Sequence, residues 1–165
     1  MTIIEKIEPK PGQESVWDYP RPPKLEDTDA RIKIIFDNVL IADTNRAKRV
    51  LETSHPPVYY IPPQDVQMRF LLPSFGKSFC EWKGTAKYND LVVNGRRVEK
   101  AAWYYPDPAE NFLGIKDYLA FFAGPMDACY VNGEKVQPQP GGFYGGWITK
   151  DITGPFKGDN GTMFW

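Results

Sequence analysis

The high content of proline and glycine is the sequence feature that most constrains the fold of this chain. There are 16 prolines and 14 glycines among 165 residues, and aromatic residues make up a further 15%. Proline cannot continue a helix and glycine weakens one, whereas aromatic residues are favoured in strands. The sequence therefore predicts a mostly β protein with short strands and many turns. Its length is typical of one compact domain.

The charge balance and the cysteines narrow the classes of partner. Twenty Lys and Arg stand against 21 Asp and Glu, for a formal net charge of −1, so no nucleic-acid partner is expected. Cys80 and Cys129 are isolated in sequence and predict no metal site.

The N-terminal residues do not resemble a signal peptide, because acidic residues and prolines stand where an apolar run is needed. No segment of the sequence reaches membrane-spanning length. We therefore expect a cytoplasmic protein without membrane insertion.

Three regions differ in composition. Residues 1–30 are rich in proline and must run extended through Trp17-Asp18-Tyr19-Pro20-Arg21-Pro22-Pro23, so we interpret them as an arm across the domain. Residues 31–137 carry the strand patterns of a β domain. Residues 138–165 are a tail in which glycines alternate with aromatic residues, which suits docking more than independent folding. The tail either packs on its own domain or binds a protein partner through residues 141–165.

Turn residues set the predicted order of the strands. Asp37-Asn38, Asn94-Gly95 and Asn132-Gly133 each separate two apolar segments, which is typical of hairpins. After the first hairpin, Asp43 or Thr44 could cap a short helix that ends near Glu52. The remaining predicted strands are 58–61, 66–72, 79–82, 85–93, 101–105 and 118–122.

Six phrases occur in order along the chain: VWDYPRPP (16–23), IADT (41–44), LETSHPPVYYIP (51–62), CEWKGTAKY (80–88), AWYYP (102–106) and AFF (120–122). Over about residues 15–137 the chain resembles the bacterial family catalogued as domain of unknown function 427. The resemblance implies a β-tent fold of twisted antiparallel sheets, shared with zinc-containing domains such as methionine sulfoxide reductase B. The paired cysteines of those relatives are lacking, so their metal and redox chemistry is not carried over. The tail looks like that of longer, cyanobacterial-type members.

The family is in places labelled nucleotidyltransferase-like, and the residues give this label little support. Nucleotidyl transfer needs acidic side chains that hold divalent metal, and usually a cradle for the triphosphate. The chain's D-x-D is Asp27-Thr28-Asp29, which lies in the proline-rich approach to the first predicted strand. The glycines of residues 141–146 do not open a predicted helix. This activity therefore follows from the label alone.

The candidate catalytic residues are Glu52, His55 and Lys83. His55 is the one histidine of the chain, and a carboxylate three residues before it suggests a proton-transfer pair, although His55 could instead bind backbone at a tight turn. Lys83 could act as a base or bind an anion, and Gly84 after it permits close approach of a ligand. Strand alternation would place Cys80 on the opposite side from Lys83, so we expect Cys80 to be a small buried residue.

Aromatic residues on neighbouring predicted strands could line a cleft for a flat or apolar ligand, although such residues also build cores. Arg21, between prolines, could bind an anion or pair with a surface carboxylate. The predicted ligand-binding residues are Arg21, Tyr60, Trp82, Tyr88, Trp103 and Tyr105. Two functions stay open: a small-molecule-binding domain, with or without catalysis, and a protein-interaction module that uses the tail. The residues indicate no particular cofactor.

Overall fold

The computed structural model describes residues 3–165 and confirms the predicted mostly β fold. These residues form strands β1 (Glu14–Ser15), β2 (Lys24–Asp27), β3 (Ile32–Phe36), β4 (Val39–Thr44), β5 (Lys48–Leu51), β6 (Val58–Tyr60), β7 (Leu71–Cys80), β8 (Gly84–Val93), β9 (Arg96–Tyr104), β10 (Ala120–Phe121), β11 (Ala128–Val131), β12 (Glu134–Lys135), β13 (Gln137–Pro138), β14 (Trp147–Ile148) and β15 (Ile152–Thr153). Short 3₁₀ helices span Val16–Asp18, Pro63–Asp65, Met68–Phe70 and Glu110–Ile115. Within this described part, no helix has the length and apolar character needed to cross a membrane.

The three predicted hairpins are confirmed. Asp37-Asn38 joins β3 to β4, Asn94-Gly95 joins β8 to β9, and Asn132-Gly133 joins β11 to β12. Both central residues of each turn have positive φ, between 49° and 82°. That conformation twists the flanking strands in the direction that antiparallel pairing needs, and Asn, Asp and Gly tolerate it best.

Two four-stranded antiparallel sheets form the body of the protein. One has the order β10-β9-β8-β7, and the other has the order β12-β11-β3-β4. Alternate residues of β3, namely Ile32, Ile34 and Phe36, are buried and join Leu91 and Phe121 of the other sheet in the main core. A three-stranded sheet of order β2-β5-β6 packs beside them and carries a second, aromatic-rich core cluster.

The predicted short helix after the first hairpin is wrong. Its residues form the end of β4 and all of β5, and β5 is the central strand between β2 and β6. Arg49 of β5 also pairs with the carboxylates of Glu14 and Glu26. Hydrogen bonds on both edges and these half-buried ion pairs outweigh a helical spacing that only a few apolar residues supported.

The strand predictions for residues 66–72 and 79–82 are wrong in their bounds. Val66 makes one isolated bridge to Ala42, and a 3₁₀ helix occupies Met68–Phe70. Strand β7 then runs without a break to Cys80, because extra residues around Gly76 are taken up by an irregularity opposite β8. Residues 81–83 form a turn instead of a strand.

The tail packs on the rest of the chain. Strand β14 pairs with β13, and β15 pairs in parallel with β1 of the arm. The buried Trp147 donates its indole N–H to the carbonyl of Phe121 at 3.0 Å. Gly145 lies so close to Trp103 that any Cβ there would overlap the indole ring. Phe143, Met163 and Phe164 stay exposed.

Replacing Gly145 by alanine tests this packing. We expect Gly145→Ala to lower the free energy of unfolding by about 1–3 kcal/mol, because the new methyl group must displace either the tail or Trp103. Gly124→Ala is the matched control, since no atom lies within 4 Å of a Cβ at that position. Urea unfolding of both variants measures the difference. Equal stability of the two would show that the tail does not pack on Trp103.

Candidate functional site

A pocket of about 520 Å³ collects the predicted site residues, with the exception of Arg21. The loop between β5 and β6, the turn after β7, strands β8 and β9, and the tail surround it. The predicted residues that line it are Glu52, His55, Tyr60, Trp82, Lys83, Tyr88, Trp103 and Tyr105. Residues more than 50 positions apart in sequence therefore face one cavity.

Arg21 lies outside this pocket, contrary to its place among the predicted ligand-binding residues. Its guanidinium donates to the main-chain oxygens of Thr53 and Trp165 at 3.0 and 2.8 Å. It also stands 3.5 Å from the Glu52 carboxylate. These neighbours occupy the guanidinium, so Arg21 forms the salt bridge that was the alternative reading of the sequence.

His55 is held as a neutral imidazole with one free nitrogen. Its Nδ1 lies 2.9 Å from the carbonyl of Thr53, and because a carbonyl only accepts, Nδ1 carries the proton. Burial lowers the pKa of His55, and this effect outweighs the opposing effect of Glu52. Nε2 has no hydrogen-bond partner within residues 3–165, where no fully buried side-chain nitrogen is unpaired. It is therefore an acceptor open to the pocket.

Glu52 contributes charge more than a hydrogen bond to this arrangement. Its carboxylate lies 3.7 Å from Nδ1 of His55, beyond hydrogen-bonding distance, while the Thr53 carbonyl occupies that nitrogen. The predicted Glu52–His55 pair is thus present as an electrostatic contact. The main chain of Glu52 also has a structural role, because its carbonyl accepts the main-chain N–H of His55 at 3.0 Å and closes the turn.

Lys83 is a buried cation without an ionic partner. It is 9% exposed, and across the described chain no carboxylate lies within 4.0 Å of its ammonium group. Its Nζ stands 5.9 Å from the ring centres of both Tyr105 and Phe112. Burial lowers the pKa of Lys83, but Tyr60 and Cys80 beside it, and Glu52, raise it, and the net direction is upward. The side chain is therefore charged at neutral pH.

The predicted separation of Cys80 from Lys83 is wrong. Because residues 81–83 turn instead of continuing the strand, both side chains reach the same pocket. The carbonyl of Lys83 accepts the main-chain N–H of Ala109 at 2.9 Å, which anchors the turn, and Gly84 after it has a φ of 107°. Cys80 is also only half-buried, and not enclosed as expected.

Aromatic rings form the floor of the pocket. Tyr88 and Trp103 are directly opposite each other on β8 and β9. The Trp103 indole donates to the Tyr60 hydroxyl at 3.3 Å and packs 4.7 Å from Phe122, measured between ring centres. Burial raises the pKa of Tyr60, so its hydroxyl is neutral. The floor is thus apolar and rigid, with its own polar atoms already paired.

The tail forms the opposite wall, which sequence reasoning missed. Phe143, Tyr144 and Gly145 line the pocket, and the Tyr144 ring meets the His55 ring edge-on at 4.8 Å. Lys157 lies at the rim, 5.5 Å above the Tyr144 ring. The alternation of glycine with aromatic residues indicated docking, but nothing local in it pointed to this cavity.

The Asp27-Thr28-Asp29 segment is far from a metal-binding arrangement. Asp27 pairs with Lys48 at 2.9 Å in a separate shallow cleft that Arg46 also lines. Among residues 3–165, no three His, Cys, Asp or Glu side chains are grouped as metal ligands.

A family model described as "Domain of unknown function (DUF427)" matches residues 24–132, about two thirds of the chain. The chain belongs to this family. The model's short name, NTP_transf_9, carries the nucleotidyltransferase label. No curated protein matches the chain significantly. The matched residues of the family domain include the floor of the pocket and its imidazole and ammonium groups, whereas the tail lies beyond them.

The buried imidazole predicts a pH dependence of stability. We expect the free energy of unfolding to fall as the pH drops below about 6.5, where a histidine in the unfolded chain takes up a proton that folded His55 binds less readily. The fall should continue down to the lowered pKa of folded His55. Urea unfolding between pH 7 and 5 measures it, and His55→Gln should remove it. An identical pH dependence in that variant would contradict the assignment.

The raised pKa of Lys83 predicts that its ammonium group stabilises the fold. We expect Lys83→Met to lower the free energy of unfolding by about 1 kcal/mol, because the fold favours the charged form of Lys83 over the unfolded chain and methionine keeps only the apolar stem. Lys87→Met, at an exposed position of β8, is the matched control and should change stability by less than about 0.5 kcal/mol. A gain of stability in Lys83→Met would mean that the cost of burying the ammonium group outweighs its contacts in the fold.

Proposed function

We propose that the protein is a small-molecule-binding domain whose ligand occupies the pocket lined by His55, Lys83 and Trp103. One observation carries the proposal: side chains from distant segments converge on one cavity with two polar groups. Within the described residues, these are Nε2 of His55, which has no hydrogen-bond partner, and the ammonium of Lys83, which has no carboxylate within 4.0 Å. A few polar groups that face an otherwise apolar and aromatic cavity are typical of a ligand site.

The size and lining of the pocket fit this function. About 520 Å³ lies within the usual range of roughly 300–1,000 Å³ for sites that bind organic molecules. Aromatic walls supply contact area, and a few polar groups fix orientation. The imidazole accepts a hydrogen bond and the ammonium donates one, so a ligand with both a donor and an acceptor satisfies both residues.

The same geometry supports proton transfer as an elaboration of binding. His55 presents an unprotonated Nε2 near neutral pH, while Thr53 holds the opposite nitrogen and Glu52 would stabilise the positive charge that forms on protonation. Lys83 would then stabilise negative charge on the ligand. In that case Glu52, His55 and Lys83 carry the chemistry that the sequence assigned to them.

A protein-interaction module is the second candidate. Met163 and Phe164 expose most of their apolar surface at the end of the tail, and Phe143 does so at the pocket rim. Exposed apolar side chains in a group favour a protein partner for this part of residues 141–165. The nucleotidyltransferase-like alternative rests on the family label alone.

His55 provides the test, because one histidine gives one set of imidazole NMR signals. We expect members of a fragment library of small aromatic compounds to shift the His55 ring signals in the full-length protein, since a bound ring must lie near the imidazole. Saturation-transfer NMR measures binding in parallel. Fragments that bind without moving the His55 signals would place binding elsewhere, and a library without any binder would contradict the proposal.

A double substitution in the tail distinguishes the two candidate functions. Replacing Met163 and Phe164 by serine should leave fragment binding unchanged, because neither residue lines the pocket. A protein partner that is bound by the wild type and lost in this variant would favour the interaction module instead.

A further inference from the structure

We infer that the ligand of this pocket is an aromatic monocarboxylate whose acid group lies against Lys83. The inference rests on the proposed binding function and adds the chemical class of the ligand. It is carried by the buried ammonium group, by the charges around it and by the aromatic lining of the pocket.

Within the described chain, Lys83 has favourable neighbours but no carboxylate beside its ammonium group. Against the effect of burial, Tyr60, Cys80 and Glu52 raise its pKa and keep it charged, and a buried charge gains further from a directly paired opposite charge. Arg49, the sheltered cation of the neighbouring sheet, illustrates the rule, because two carboxylates, Glu14 and Glu26, bind it. Lys83 is buried at least as deeply and has no carboxylate within 4.0 Å. A carboxylate on the ligand supplies the missing charge.

The Glu52 carboxylate does not fill this role. It stands 3.5 Å from the guanidinium of Arg21 and 3.7 Å from the imidazole of His55. Its effect on Lys83 is exerted at longer range and is weaker than those of Tyr60 and Cys80. Glu52 is thus engaged with Arg21 and His55, and the ammonium of Lys83, which lines the pocket, can pair with an acid group on a ligand.

The other charges favour a ligand with a single negative charge. Glu52 and Glu81 line the same pocket as Lys83 and Lys157, so the lining has no excess of positive charge. A phosphate or polyphosphate is usually bound by several cations or by a cluster of backbone N–H groups. One enclosed lysine in a pocket that two acidic residues also line matches a carboxylate better, because a second negative charge would face repulsion.

The lining favours an apolar, aromatic body for the ligand. Trp82, Tyr88, Trp103 and Tyr144 all line the cavity that Lys83 lines. Aromatic side chains offer large apolar contact area and favour rings by offset stacking or edge-to-face contact. The ammonium lies 5.9 Å from the ring centres of Tyr105 and Phe112, so an acid group bound to it also lies in aromatic surroundings.

Three probes of the same shape and different charge test the inference: 2-naphthoate, 2-naphthamide and 2-naphthyl phosphate. We expect the full-length protein to bind naphthoate at least about tenfold more tightly than naphthamide, because a buried charge-assisted hydrogen bond is gained. Lys83→Met should abolish this preference, and the control Lys87→Met should keep it. Calorimetry measures the dissociation constants, and the His55 ring signals locate each probe in the pocket.

Retained naphthamide binding in Lys83→Met would show that the variant is folded and that only recognition of charge is lost, which supports the inference. Equal affinity of the wild type for naphthoate and naphthamide would overturn it while leaving the proposed binding function in place. Tighter binding of naphthyl phosphate would overturn the assignment to monocarboxylates. Binding of none of the three probes would also overturn it, and the fragment screen would then decide whether the pocket binds small molecules.

Discussion

The buried indole of Trp147 anchors the tail beside the pocket. Its side chain donates to the carbonyl of Phe121 at the end of β10, and its main-chain N–H donates to the carbonyl of Pro57 just before β6 at 2.9 Å. One residue therefore ties the tail to both sides of the cavity. Its ring also packs 5.4 Å from that of Tyr59, inside the main core. Together with the hydrogen bonds between Gln139 and Gly146, this anchor fixes Tyr144 and Gly145 against the family domain.

Local chemistry explains which parts of the fold could be predicted. The hairpins at Asp37-Asn38, Asn94-Gly95 and Asn132-Gly133 depend on the conformational freedom of the turn residues themselves, so the sequence contains the information within a few positions. The failed helix before Glu52 depended on the spacing of a few apolar residues. Pairing of β5 with two strands from distant parts of the chain decided the outcome, and such pairing is not visible in a short window.

The site could be predicted by residue type but not by geometry. Polar and aromatic residues within the phrases that resemble the family indicated Glu52, His55, Lys83 and their neighbours, and the structure brings them into one cavity. The turn at residues 81–83 was mistaken for a strand, so the contact of Lys83 with Cys80 was missed. The tail wall was also missed, because the approach of Gly145 to Trp103 joins segments far apart in sequence.

Two parts of the chain with different amino-acid compositions line the pocket. Residues 24–132, the family domain, supply the imidazole and the enclosed ammonium, while the loop at residues 140–146 supplies glycine backbone and rings. The family domain would thus recognise the charge of a ligand, and the loop would recognise its shape. A change of length or sequence in that loop would reshape the opening without moving Lys83 or His55. Loop 140–146 is therefore the segment to vary in order to change the outline of the pocket while its charged groups stay in place.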